Sequence, residues 1–289
     1  VIAQASVGAP NRILPTFIIY MWQATYDNGL AATLYGPCTV SARVGSNVLV
    51  RISSTTDYPF GETIRLKINP QTKVSFPLYL RIPGWCKGAQ LKVNGSKAVA
   101  AVDEKGFVRI DRKWAKGDVV DLRLPMVPRV MRGYETEFPP ANRDYFRFEP
   151  APLFSPRRLP YASVLYGPLL FALPIADVDP NSPVANGRWQ FALDTDLAHG
   201  ENELKIERKP MPRRWDWPLD APLAIRAPAR SFDWHPNDAQ ALPEQPVSGG
   251  LFESIRLVPY GCTKFRISMF PVTSGAWGSD TRQVYPTER

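Results

Sequence analysis

Thirty prolines lie among the 289 residues of this chain, roughly twice the usual share. Proline has no N–H to give to a ladder, and its ring blocks the preceding helical turn, so it is kept out of helix interiors and central strands. Such a chain is expected to fold as many short strands joined by rigid loops, with long helices disfavoured. From Leu30 onward the texture agrees, with apolar, β-branched runs such as "NVLVRISST", "TIRLKINP", "SFPLYLRIP", "AQLKVNG" and "DVVDLRLPM". Gly, Pro, Asn or Asp interrupts them about every eight to twelve residues, which is the signature of an antiparallel sandwich. A second set, "ASVLYGPLLFAL", "NELKIERK", "PLAIRAPAR", "SIRLVPYG" and "TKFRISMFPV", repeats the pattern later in the chain.

The expected fold is therefore mainly β: two antiparallel β-sandwich domains preceded by one amphipathic helix. Residues 1–29 carry the helix, 30–128 the first sandwich, 129–160 a linker with room for one strand, 161–273 the second sandwich, and 274–289 a tail. In "NRILPTFIIYMWQAT", Ile13, Leu14, Phe17, Ile18, Met21 and Trp22 fall three and four apart, the spacing of one buried helical stripe. Asn11 is placed to cap that helix, Pro15 is tolerable in its first turn, and "YDNG" at Tyr26–Gly29 ends it. The phrase LYGP occurs at Leu34–Pro37 and again at Leu165–Pro168, each time at the end of an apolar strand.

Lysine and arginine number 35 against 27 acidic residues, giving +8 and a pI near 9.4. The cations come in scattered pairs such as Arg157-Arg158 and Arg213-Arg214. Nucleic-acid binders gather theirs into a stripe, so no nucleic-acid partner is expected. An acidic polysaccharide is no better indicated, and solvated surface charge is the reading adopted. The longest apolar run, Ile13 to Trp22, contains Pro15 and is too short to span a bilayer, so no membrane segment is expected. The opening "VIAQASVGAP" has neither an initiator Met nor a signal-type core, and reads as a start in mid-domain.

Few residues could carry chemistry. Cys38, Cys86 and Cys262 are far apart, and His199 and His235 are the only histidines, so neither a disulfide framework nor a local metal knuckle is indicated. Cys86 follows "RIPGW" with no neighbouring base and reads as a small apolar group beside Trp85. Asn94-Gly95-Ser96 is formally a glycosylation sequon, but Asn-Gly is also the strongest hairpin signal, and the turn is the reading adopted. Trp215, Trp217 and Trp234, with Arg213, Arg214 and His235, form an aromatic and basic group that could stack on sugar rings. The carboxylates Asp57, Glu62, Asp144 and Glu149 are available for a glycosidase pair, although sequence cannot show the separation such a pair requires.

Several stretches together carry a family likeness: "APNRILPTFIIYMWQATYDNGLAATLYGPCTVSARVG", "YPFGETIRLKI", "FPLYLRIPGWCKGAQLKVNG", "GFVRIDRKWAKGDVVDLRLPM", "YGPLLFAL" and "VPYGCTKFRISMFPVT". From about Ala9 to Thr273 the chain resembles the carboxyl-terminal part of bacterial glycoside hydrolase family 127, the β-L-arabinofuranosidase-like proteins. The most specific pieces are LRIPGW, the W-x-x-G-D at Trp114 to Asp118, and LPM at Leu124 to Met126. The resemblance implies an (α/α)6 helical barrel followed by two β-sandwiches, with retaining hydrolysis of terminal β-L-arabinofuranose by a zinc-bound cysteine and a glutamate acid/base. Those groups belong to the barrel. Where the family has tandem cysteines this chain reads "ASVGAPN", so no catalytic or zinc residue is carried over, and Asn11, Arg12 and Pro15 are given packing roles. On this reading the helix is the barrel's last, zinc is expected only in the missing barrel, and the chain alone is expected to be inactive. The partner would be the barrel, in cis or in trans, with a plant-type glycan as ligand. A free-standing carbohydrate-binding module and a structural partner of a separately encoded barrel are the alternatives.

Overall fold

The computed structural model describes residues 9–136, 158–175, 189–194, 204–214, 220–232, 250–263 and 266–273. The chain divides into two compact units, Val1–Met126 and Val127–Arg289. Both are β-sandwich-like, and the only α-helix among the described residues is α1, Ala9–Ile19.

Helix α1 begins earlier than its sequence pattern indicates and stops at Ile19, with Pro15 inside it. Trp22, expected on the helical stripe, lies instead in strand β1, Trp22–Ala24. Its backbone is taken by the ladder to β2, Leu30–Ala32, where Trp22 pairs with Ala32. The periodicity continues through Met21 and Trp22, but the hairpin offers their backbone a full set of partners, and tertiary pairing overrides the local pattern. Gly29, in the turn between these strands, sits directly against the Pro77 carbonyl, a position with no room for a Cβ.

The remaining strands of the first unit are β3 Cys38–Val44, β4 Val48–Thr56, β5 Thr63–Pro70, β6 Val74–Arg81, β7 Gln90–Val93, β8 Ser96–Ala98, β9 Phe107–Trp114 and β10 Asp118–Arg123. They form a six-stranded sheet, β3-β4-β5-β10-β7-β8, and a four-stranded sheet, β1-β2-β6-β9. Every second residue of β5 is buried, so Ile64, Leu66 and Ile68 enter the core. Phe76, Leu78, Leu80, Val108 and Trp114 of the other sheet join them there. The four-stranded sheet is mixed, because β2 runs parallel to β6. Parallel pairing needs a long crossover, and the chain supplies one by building β3, β4 and β5 of the opposite sheet between the two strands. The first LYGP, Leu34–Pro37, lies in the irregular connection after β2, whereas the second spans the end of β12 (Arg158–Tyr166) and its turn. The two are not equivalent.

The second unit contains β11 Pro128–Thr136, β12, β13 Leu169–Pro174, β14 Phe191–Leu193, β15 Lys205–Arg208, β16 Leu223–Ser231, β17 Phe252–Pro259 and β18 Arg266–Ile267. Apart from Pro128, β11 falls in the span read as a linker with one strand, and it pairs along its full length with β12. The main path is β11-β12-β13-β17-β16-β14, with β15 on β16 and β18 on β13. Residues 266–273 then close a ring: Ala162 and Phe270 exchange two 2.9 Å backbone hydrogen bonds, and the Leu193 N–H donates to the Pro271 carbonyl at 2.9 Å. Tyr166, Phe171, Ile225, Leu257 and Phe270 are fully buried in this unit. No helix among the described residues is long and apolar enough to cross a membrane.

Candidate functional site

The LRIPGWC stretch runs off the end of β6. Leu80 and Ile82 point into the core, and Cys86 is almost fully buried with them. The Tyr35 hydroxyl donates to the Arg81 carbonyl at 2.7 Å, and the Tyr35 and Tyr58 rings meet edge to face at 6.0 Å. Burial, and then the negative charge of Glu62, push the Cys86 thiol upward. A nucleophilic or metal-binding sulfur needs the opposite shift, so Cys86 is a packing group. Cys38 accepts from the Trp22 indole N–H at 3.3 Å, and burial pushes the Cys262 thiol up as well.

The W-x-x-G-D segment is a structural knot. Trp114 is fully buried and its indole N–H donates to the Phe76 carbonyl at 2.9 Å, tying β9 to β6. Asp118 accepts from the Ala115 N–H at 2.9 Å and from the Asn94 amide at 2.8 Å, while the Asn94 carbonyl oxygen takes the Val119 N–H at 2.8 Å. Burial raises the Asp118 carboxyl, but the Ala115 and Asn94 donors and Arg112 outweigh it and hold it below the ordinary value. Asn94 and Gly95 have φ of 50° and 81° in a two-residue loop between Val93 and Ser96, the geometry of a type I′ hairpin. The sequon asparagine is thus a turn residue with its amide engaged.

Glu62, one of the carboxylates considered for a glycosidase pair, is an anchor. One oxygen accepts from Arg123 and the other from the Met126 N–H at 3.1 Å, while its backbone carbonyl accepts from the Leu124 N–H at 2.8 Å. It therefore fixes the LPM segment where the first unit ends. Asp57 supplies its carbonyl to the N–H groups of Phe60 and Gly61 in a tight turn. Asp144 and Glu149 lie outside the described residues, as do His199 and His235 and the three tryptophans of the sugar platform, Trp215, Trp217 and Trp234.

A polar cluster that the sequence does not signal lies on the outer face of the four-stranded sheet. The Tyr79 hydroxyl donates to Asp27 at 2.7 Å, Thr25 donates to the other Asp27 oxygen, and Arg109 stacks over the Tyr79 ring at 5.4 Å. Arg109 also forms a two-point pair with Asp111 at 2.8 and 2.9 Å. The hydrogen bond to Asp27, with burial, pushes the Tyr79 hydroxyl up to about 12, and the Thr25 and Tyr79 donors hold Asp27 low. Thr25, Asp27, Tyr79 and Arg109 come from three separate elements, so no local spacing could show them. The only sequence signal is that Tyr79 and Arg109 fall at outward positions of their strands. Their polar atoms are matched to one another, which makes the cluster a brace for the β1–β2 turn.

The described residues bring together no group of three His, Cys, Asp or Glu side chains that could hold a metal. The zinc implied by the resemblance therefore finds no ligand set among them.

Residues 29–126 match the family model for the middle domain of the GH127 β-L-arabinofuranosidases. This stretch is similar to a GH127 middle domain. It begins at Gly29, pressed against Pro77, and ends at Met126, held by Glu62. Leu80, Trp114, Asp118 and Leu124, from the stretches that carry the resemblance, are all core or turn-fixing groups here. No curated protein is matched. Among solved structures, a GH127 β-L-arabinofuranosidase from Geobacillus stearothermophilus T6 is 23% identical with a TM-score of 0.55, over 88% of this chain and 35% of that one. A protein described as a glycoside hydrolase is 22% identical with a TM-score of 0.56, over 88% of this chain and 37% of its own. A GH127 β-arabinofuranosidase is 20% identical with a TM-score of 0.56, over 86% and 35%. At these identities the likeness is one of fold, and the chain spans about a third of the length of the structures it matches.

Proposed function

We propose that this chain is the non-catalytic β portion of a glycoside hydrolase resembling β-L-arabinofuranosidase. Its two units support a helical barrel, in cis or in trans, that hydrolyses terminal arabinofuranosides. Zinc and the reactive thiolate go with the barrel in this reading. The observation that carries it is helix α1: Ile13, Leu14, Ile18 and Ile19 are 62%, 63%, 66% and 70% exposed. A short helix with its apolar side chains in water is not stabilised by propensity alone, and such a surface calls for a partner. A helical barrel offers apolar stripes of matching period. The match of residues 29–126 to a middle domain, and of 88% of the chain to 35% of a GH127 structure, supports the same reading.

The test has two arms. The purified chain, incubated with an aryl β-L-arabinofuranoside and zinc, is expected to show no turnover; turnover abolished by Asp57→Asn or Glu62→Gln overturns the proposal. Co-expressed with a GH127 helical barrel, the chain is expected to co-purify, and Ile13→Glu with Ile18→Glu to release it. Retention of the double variant at wild-type level would also count against the proposal.

A further inference from the structure

The outer face of β15, β16 and β17 carries a row of cations that linear spacing conceals. Lys205 stands directly opposite Arg226, and Arg226 directly opposite Arg256, so three positive side chains line up across three adjacent strands, about 4.8 Å apart. Like charges directly opposite one another destabilise a sheet. Here one carboxylate answers two of them: Glu207 accepts from the Arg226 Nε at 2.6 Å and from the Arg256 Nε at 2.9 Å. The Nη groups of both arginines and the Lys205 ammonium have no partner among the described residues. Both arginine side chains are also more than 40% exposed. The row thus holds fixed, forked donors turned to solvent with a surplus of positive charge.

The same face continues toward an aromatic group. Ser254 and Phe252 follow Arg256 at alternate positions of β17, and Pro228 and Arg230 follow Arg226 on β16. Phe252 is 57% exposed, with Arg230 over its ring at 5.9 Å. Arg230 is neutralised by Asp194 at 3.0 Å, so its charge does not add to the row. Between the row and the ring lie the exposed Ser254 and the buried Pro228, and Arg256 and Phe252 stand four strand positions apart, roughly 13 Å. We propose that this face binds an acidic glycan, with a uronate carboxylate on Lys205, Arg226 and Arg256 and a further sugar ring stacked on Phe252. Planar guanidinium groups suit a carboxylate through paired N–H donors, and an aromatic face suits the C–H side of a sugar. Taking a saccharide over a nucleic acid rests on the proposed glycoside hydrolase membership; the cation row itself does not.

The experiment is calorimetric titration of the full chain with tetragalacturonate at low ionic strength. Saturable binding is expected, weakening with added salt and lost when the carboxylates are methyl-esterified. Arg226→Gln with Arg256→Gln is expected to weaken it roughly tenfold or more, and Arg226→Lys with Arg256→Lys by much less. Phe252→Ala should weaken the tetramer while leaving binding of single galacturonate unchanged. No binding, or equal binding of the ester, overturns the proposal. So does tighter binding of an oligothymidylate, which would mark a general polyanion surface. If the glutamine variant fails to fold, the ester comparison on the unaltered chain decides alone. Ile13→Glu with Ile18→Glu should leave uronate binding intact, so failure of this proposal and failure of the barrel reading are separable.

Discussion

The Asn94 side-chain amide donates to Asp118 at 2.8 Å, so the tip of the β7–β8 hairpin is tied to the turn that launches β10. The two residues are 24 positions apart, and each also satisfies a backbone N–H, of Val119 and Ala115 respectively. Asp118→Ala leaves both the amide and the Ala115 N–H without their acceptor in a nearly buried place. It is expected to destabilise the first unit by about 1–3 kcal/mol, read from urea unfolding at neutral pH.

The same carboxyl sets a pH dependence. Its folded value lies below the ordinary 3.8, so its contribution is fully present above that value and is lost as pH falls through the folded one. Unfolding curves of the wild type and Asp118→Asn should therefore begin to converge only as pH falls below about 3.8, and a gap that stays constant down to pH 2 would count against the linkage.

Tyr79→Phe removes the donor to Asp27 while keeping the ring beneath Arg109, and should cost about 0.5–1.5 kcal/mol. Because the hydrogen bond raises this hydroxyl from 10.0 to about 12, its contribution is whole below pH 10 and is lost as pH rises through about 12. Burial pushes the Tyr35 and Tyr58 hydroxyls up as well, so ultraviolet titration should show several tyrosines ionising late in the wild type, and that late component should shrink by one tyrosine in the variant.

Cys86 should be protected from thiol reagents in the folded chain and labelled readily in denaturant, since burial keeps the sulfur protonated and covered. Peptide mapping after timed labelling reads the rate. Labelling of Cys86 in native conditions as fast as in urea would show that the core around Tyr35 and Trp85 opens.

Trp114→Phe deletes the indole N–H that donates to the Phe76 carbonyl and part of a fully buried ring. A loss of about 2–4 kcal/mol is expected, with the change confined to the unfolding transition of the first unit. Calorimetry of residues 1–289 should resolve it.

Some of this architecture could be read from the chain and some could not, for physical reasons. Asn94-Gly95 is legible because positive φ at two successive positions is a local demand that few residue pairs meet. Strand β5 is legible because one face is buried and the other wet, so Ile64, Leu66 and Ile68 alternate with polar neighbours. The end of helix α1 is not legible: Met21 and Trp22 keep the helical spacing, and only the pairing of Trp22 with Ala32 removes them from it. The parallel pairing of β2 with β6 leaves no trace in three short residues, all buried. The cation row and the Tyr79 cluster escape for a common reason, since both are built across strands far apart in the chain. A basic residue beside another in sequence points to the opposite face of a strand, whereas Arg226 and Arg256 share one.

The ring of the second unit shuts through contacts of long reach, such as the Ser163 hydroxyl to the Ser268 carbonyl, 105 positions away. During synthesis, β12 and β14 must therefore wait with bare edges until the closing segment leaves the ribosome. Slow translation there, or loss of that segment, should divert nascent chains into intermolecular pairing well before any defect in the finished molecule could be detected.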